Sequence, residues 1–281
     1  MQKIESVSDL RSTAAQLKAA GKTLALVPTS GALHAGHAAL IAAGKAGADA
    51  VIVSVFANPL AFGPSENFAG YPRTPEADLH LCAEAGVDAV FLPPGVEAFY
   101  PRGFSTYVAE EAVSKPLCGV SRPSHFRGVV TFFTKLLNLV RPDKLILGQR
   151  DAQQVAVLRK LIADLGFTTE IVVVPTVREP DGLAVGVKNQ GLTPGQRQEA
   201  RSLFLALERA REMAAQGVRS PDRVIAEVTH LLGERRRVRV IYIAIVDPHT
   251  MEPMREVVPG RSLLALAAWI DEVRFIDNVV L

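Results

Sequence analysis

His34 and His37 stand three residues apart in the stretch TSGALHAGH, residues 29–37, with Gly31 and Gly36 beside them. Imidazoles donate hydrogen bonds, and glycines let a backbone approach a ligand closely. An apolar run, TLALVP (23–28), precedes the stretch, and a helical pattern, HAALIAAGKAG (37–47), follows it. The histidines therefore fall where a strand ends and a helix begins. A helix opening near Gly36 would aim its unpaired N–H groups and its positive end at whatever lies above the strand. That combination suits a phosphate, with both imidazoles donating to it. The competing reading makes one histidine a helix cap and leaves the other on the surface. The chain has no G-x-x-x-x-G-K-[ST] loop and no clean G-x-G-x-x-G, so a nucleotide site here is of another kind.

Other polar residues follow strands in the same way. Asp151 and Gln154 come after the apolar run KLILG (144–148). They form a D-x-x-Q pattern that would cap the next helix, and the same helix start could also meet a ligand. Asn58 precedes Pro59 and suits a turn. His125, in SHFRG, reads as structural or as the rim of a pocket. Arg235, Arg236 and Arg237 read as a solvated turn, and Trp269 as core or interface. Cys82 and Cys118 have no metal-ligand or redox spacing; they fit reduced thiols of a cytoplasmic protein.

The elements that must hold these groups follow from periodicity. Apolar, β-branched runs at 23–28, 49–56, 88–93, 144–148 and 169–175 read as strands. They alternate with helical patterns at 37–47, 74–86, 125–140 and 151–166. Continuous apolar strands separated by helices imply a Rossmann-like parallel sheet with helices on both faces, an α/β fold. Ligands bind such sheets outside the carboxyl ends of the strands. The stretches 29–37, 57–73 and 148–154 should therefore converge. After residue 177 the texture changes to two helices, 193–217 and 220–233, and then strands at 237–247, 262–270 and 273–280. The expected organisation is a domain over 1–176 and a smaller α+β C-terminal domain over 177–281.

At 281 residues and 48% hydrophobic content a sizeable core can be buried. The net charge of +2 argues against a dedicated nucleic-acid or membrane surface. No run of 18 or more residues is apolar enough to span a membrane, and the N-terminus lacks the apolar stretch of a secretory signal.

Taken together, VPTSGALHAGH, FANPLAFGPSENFAGYPRT (56–74), RPSHFRGVVTFFTKLLNLVRPDKLILGQRDAQQ (122–154) and VPTVREPDGLAVGVKN (174–189) resemble the pantothenate synthetase family. The likeness continues through LTPGQRQEA to FIDN. This family, the pantoate–β-alanine ligases, lies within the nucleotidylyltransferase superfamily. The resemblance implies a two-step ligation. A pantoate carboxylate attacks the α-phosphate of ATP, with Mg²⁺ as the usual counterion, giving pantoyl adenylate and pyrophosphate. The amine of β-alanine then attacks the acyl carbon and releases AMP. It further implies that His34 and His37 hold the phosphates, with His37 and Arg150 beside the chemistry. Ser30, Gly31, Ala32, Leu33 and Gly36 would line the nucleotide site. Gly148, Gln149, Arg150 and Asp151 would meet the adenosine, Asp151 at the ribose hydroxyls and Val177 at adenine. Val185, Gly186, Val187 and Lys188 would form a phosphate loop. Gln154, Ala61 and Asn58 would meet the acid. A homodimer is implied, with no protein ligand set for a metal.

The departures from the family pattern fall at binding positions. Ser30 stands where the family usually has Met, Ala61 where it has Gln, and Arg150 where it has Lys. Gly186, Val187 and Lys188 replace Ser, Ser and Arg, and Ser124 replaces Gly. Two further readings follow: a paralogue using another acid or amine, and a nucleotide-binding protein without catalysis. A simple nucleotidyltransferase is a third.

Overall fold

The computed structural model describes residues 1–64 and 66–281. The chain forms two compact units. The first comprises Met1–Glu110, Arg122–Gly148 and Val157–Pro175. The second comprises Glu111–Ser121, Gln149–Ala156 and Thr176–Leu281, so two segments well before residue 177 group with it.

The elements of the first unit are β1 (Gln2–Ile4), α1 (Val7–Ala19), β2 (Leu24–Thr29), α2 (Ala35–Gly47), β3 (Ala50–Val55), α3 (Pro75–Glu84), β4 (Ala89–Phe91), α4 (Val96–Phe99), α6 (His125–Val140), β5 (Lys144–Gly148) and β6 (Glu170–Val174). Its six strands form an all-parallel sheet in the order β1-β4-β3-β2-β5-β6. All six residues of β3 are buried, as are all of β2 except Pro28. Alternate residues of each strand point to opposite faces. Ala25, Val27, Val51, Val53, Val90 and Ile146 meet Ile41 of α2 and Cys82 of α3 in one buried cluster. Helices α1 and α6 pack on each other apart from that cluster. Helix α6 buries Phe126, Val129, Val130, Phe133, Leu136, Leu137 and Val140.

β1 and α1 have no counterpart in the periodicity reading. β1 is three residues long with one buried side chain, and α1 buries only Leu10, Thr13 and Ala14. Neither leaves a strong apolar stripe.

The second unit carries α5 (Cys118–Ser121), the long helix α8 (Pro194–Ala215), α9 (Pro221–Gly233) and the antiparallel strands β7 (Val238–Val246), β8 (Leu263–Ile270) and β9 (Val273–Val280). These strands pair in the order β7-β8-β9. The Thr193–Gln196 capping box read from the sequence is present at the start of α8. Leu203, Leu207 and Val224 of the helices share a core with Leu264, Leu266 and Ala268 of β8. The helix α7 (Ala152–Asp164) begins in this unit and continues into the first. A 3₁₀ turn, Gln149–Asp151, precedes it. Asp151 ends that turn, directly before α7.

Candidate active site

In the first unit, β2 ends at Thr29 and the chain reaches α2 through Ser30–His34. His34 is the N-cap of α2 and His37 its third residue. His34 Nδ1 accepts the Gly36 amide at 3.1 Å, and His37 Nδ1 accepts the His34 amide at 3.1 Å. The two rings lie 4.1 Å apart at 41°. This histidine capping box changes the reading of the helix end. The Gly36 amide, one of the N–H groups at the helix start, is taken up within the chain, as is that of His34, and both histidines take part in the cap. The arrangement also fixes the tautomer. A ring nitrogen that accepts an N–H carries no proton, so in the neutral form each imidazole holds its hydrogen on Nε2. Nε2 is then the donor nitrogen of each ring. Gly36 is required here, since a Cβ would lie 2.9 Å from His34 Cε1.

The loop before the histidines is unusual. Gly31 has φ +88° and Ala32 φ +53°, two consecutive left-handed residues. For alanine that conformation costs about 1–2 kcal/mol. Asp78 of α3, 2% exposed, holds it: its Oδ2 accepts the Ala32 amide at 3.0 Å and its Oδ1 the Leu33 amide at 2.8 Å. Hydrogen bonds to a charged group contribute about 1.5–3 kcal/mol each, enough to outweigh the strain. The Ala32 and Leu33 amides therefore point at Asp78. Ser30 is exposed and Gly31 buried.

Asn58 and Ala61 lie beyond β3. Asn58, 8% exposed, caps the 3₁₀ turn Pro59–Ala61. Its Oδ1 accepts the Leu60 amide and the Tyr100 hydroxyl, and its Nδ2 donates to Gly128 O at 2.9 Å. Burial, with Tyr107 nearby, pushes the Tyr100 phenol up, so it stays a donor. The Ala61 carbonyl is held by His125 Nδ1 at 2.8 Å and Arg122 Nη2 at 3.1 Å. Arg122 also pairs with Glu66 at 2.6 Å. Burial alone would raise the Glu66 carboxyl. The hydrogen bonds from Arg122 and Gly63, with the charges of Arg122 and His125, instead bring it below its usual value. Gly148 ends β5, and a Cβ on it would lie 4.0 Å from Leu40 of α2.

The second unit gathers the remaining candidates. The Val185 amide donates to Val177 O at 2.9 Å, and Arg150 Nη1 donates to Val185 O at 2.8 Å. Arg150 Nη2 lies 3.5 Å from Asp151 Oδ2. Asn278 of β9 donates through Nδ2 to the carbonyls of Gln149 and Arg150 at 2.9 and 3.0 Å, and accepts Gln149 Nε2 at 3.0 Å. Its neighbour Asp277, 5% exposed, makes a two-point pair with Arg178 at 2.6 and 2.9 Å. Gln149, Arg150, Asp151, Val177 and Val185 thus form one hydrogen-bonded group with β9. Gly186 and Val187 continue the loop, and Lys188 Nζ reaches Arg274 O at 3.4 Å. Gln154 is half-buried on the first turn of α7, while its neighbour Gln153 is buried and bonded to Cys118, Val113 and Pro116.

Asp78, Asn278 and Asp277 carry this geometry without having been singled out from the sequence. Asp78 looks like an acidic residue complementing a helix N-terminus. FIDN, which holds Asp277 and Asn278, reads only as part of a family likeness.

The sequence model of the Pantoate-beta-alanine ligase family matches residues 2–280. The pantothenate synthetase of Moorella thermoacetica is 45% identical over 281 residues, covering all of this chain and 99% of that protein. That of Thermotoga neapolitana is 42% identical with full coverage of both. The crystal structure of the Thermus thermophilus pantothenate synthetase superposes with a TM-score of 0.94 at 40% identity, over 100% of this chain and 99% of that one. The Francisella tularensis pantoate–β-alanine ligase, solved with β,γ-ATP and β-alanine, gives 0.82 at 29% identity, over 100% and 97%. With a match from one end of the sequence to the other, and the same fold throughout, this chain belongs to the pantoate–β-alanine ligase family.

Proposed function

We propose that this protein condenses pantoate with β-alanine, driven by conversion of ATP to AMP and pyrophosphate through a pantoyl adenylate. The observation that carries the reading is the histidine pair, whose Nδ1 atoms fix the start of α2 at the carboxyl edge of the sheet, in a chain that matches the family from residue 2 to 280.

In the first step the carboxylate oxygen forms a bond to the α-phosphorus as the bond to pyrophosphate breaks. Negative charge gathers on the phosphoryl oxygens and the leaving group. Fixed donors aimed at that charge lower the barrier without reorganisation. His34 and His37 supply two. Arg150 and Lys188 supply positive charge, and Gly186 and Val187 their backbone. Ser30, Gly31, Ala32, Leu33 and Gly36 shape the wall, with the Ala32 and Leu33 amides spent on Asp78. Asp151 accepts from the ribose hydroxyls, Val177 meets adenine, and Gly148 and Gln149 flank them. Gln154, Asn58 and Ala61 border the acid. In the second step the β-alanine amine bonds to the acyl carbon, AMP leaves with the former carboxylate oxygen, and the amine loses a proton.

Mg²⁺ bound to the triphosphate would neutralise part of its charge. Such an ion is held by phosphate oxygens and waters, with few protein ligands. A homodimer and a cytoplasmic setting complete the proposal. The setting is supported by two buried free cysteines.

The test is mass spectrometry of products from ATP, Mg²⁺, pantoate and β-alanine. One pantothenate per AMP is the expected result. Sustained pyrophosphate release without an amine would make the protein a simple nucleotidyltransferase, and silence in every condition a binding protein. Turnover restricted to a different acid would identify the paralogue.

A further inference from the structure

We propose that Asp78 is a positioning residue for the nucleotide-handling histidines, holding their loop in a conformation it would not otherwise keep. The inference rests on the ligase reading for its kinetic arm only. Asp78 lies in α3, 41 residues or more along the chain from His34 and His37, yet its carboxylate closes the loop between β2 and α2. Each oxygen takes one loop amide, Oδ2 from Ala32 and Oδ1 from Leu33. Oδ1 also accepts the Thr74 hydroxyl at 3.0 Å. All three of these partners are donors, so the carboxylate acts towards them purely as an acceptor.

Three features make this more than an ordinary buried hydrogen bond. The two amides flank a left-handed alanine, a conformation that reverts to commoner regions unless held. Residue 33 is joined directly to the N-cap, so any relaxation of Ala32 moves the His34 ring and, through the His34 amide, its partner His37. The loop also packs on the carboxylate itself: a Cβ at Gly31 would lie 3.2 Å from Asp78 Oδ2, on a backbone with φ +88°. Loop and carboxylate therefore form one fitted unit. Thr74 completes it from the other side, since its hydroxyl makes no capping hydrogen bond to α3 and is spent on Asp78.

Asp78→Asn tests the idea in the full-length protein. The amide keeps one acceptor and sets an N–H₂ against the other loop amide. The readouts are kcat and KM for ATP and for pantoate, the imidazole NMR signals of His34 and His37 in the ligand-free protein, and the thermal midpoint. The expected result is a fall in kcat/KM for ATP of about 10- to 100-fold. KM for pantoate should stay near wild type, and both imidazole signals should shift. Unmoved imidazole signals, or a lowered midpoint with wild-type kinetics, would overturn the proposal. If Asp78→Asn fails to fold, Thr74→Val decides. It removes only the third donor at equal volume, and a several-fold fall with shifted imidazoles is expected, whereas wild-type values would refute the clamp. Because the imidazole signals need no turnover, the clamp is tested even if the ligase reading itself fails.

Discussion

His37 accepts the backbone amide of His34 through Nδ1 at 3.1 Å, while His34 accepts the amide of Gly36 the same way. Each ring thus holds the helix start through Nδ1 and, when neutral, carries its hydrogen on Nε2. The two roles are separable by substitution. Asn is among the best N-cap residues, and Gln at the third helical position completes a capping box. His34→Asn and His37→Gln should therefore keep the cap and lose the Nε2–H. We expect thermal midpoints near wild type and losses in kcat of about 10²–10³ for each. His34→Ala and His37→Ala should lose stability as well, by about 0.5–2 kcal/mol. Full turnover in the cap-preserving variants would mean that the imidazoles serve the fold alone.

Arg150 and Gly186 are a coupled pair. A Cβ at Gly186 would lie 3.0 Å from Arg150 Nη1, the atom that donates to Val185 O at 2.8 Å. The backbone at Gly186 is extended, φ −164°, so a side chain there would be unstrained but would crowd the Arg150 guanidinium. Restoring the family's serine with Gly186→Ser alone should raise KM for ATP, because it displaces the guanidinium. Adding Arg150→Lys should relieve the conflict and bring KM to or below the wild-type value. A double-mutant cycle should show coupling of about 0.5–3 kcal/mol. Additive effects would sink this reading of the loop's altered sequence.

What the sequence made legible was local. β2 and β3 are apolar from end to end, and the Thr193–Gln196 box lies within one turn, so both could be read in place. The histidine stretch announced a site through its own residues. The capping itself was not legible there, because propensity cannot show that two imidazole nitrogens will take the Gly36 and His34 amides. β1 was silent because three residues carry no period. The Asp78–Leu33 and Arg150–Val185 contacts join residues 45 and 35 apart. No pattern within a short window specifies such a pair, and only the folded topology brings such distant segments together.

Ala61 bears on which acid is used. Its carbonyl is fixed by His125 and Arg122, so a longer side chain at this position would start from a held backbone. Ala61→Gln adds an amide where the family usually has one. If pantoate is the acid, KM for pantoate should fall, by up to the factor that about 1–3 kcal/mol represents. A rise in KM for pantoate together with loss of a bulkier alternative acid would show that alanine at 61 is an adaptation to that acid.

The pin beneath Ala61 should also give the protein an acid limb. Glu66 accepts from Arg122 Nη2 at 2.6 Å and from the Gly63 amide at 3.0 Å. Burial opposes its ionisation, but these bonds and the charges of Arg122 and His125 set its folded-state value below the usual 4.5. A carboxylate whose value is lowered by folding stabilises the native state fully above the unfolded value and loses that contribution as pH falls through the folded one. Thermal midpoints should accordingly hold from neutrality down to about pH 5 and decline below about pH 4.5, as protonation weakens the Arg122 pair. Glu66→Gln should start less stable at pH 7 and show a shallower decline in that window, because it has no proton to gain. Midpoint curves for the two proteins that stay parallel from pH 7 to pH 3 would show that Glu66 has no such linkage, and that the acid limb belongs to other carboxylates such as Asp143. Hydrogen bonds from Lys18 and the Leu24 amide, with the charge of Lys18, lower that carboxyl against the opposing effect of its burial.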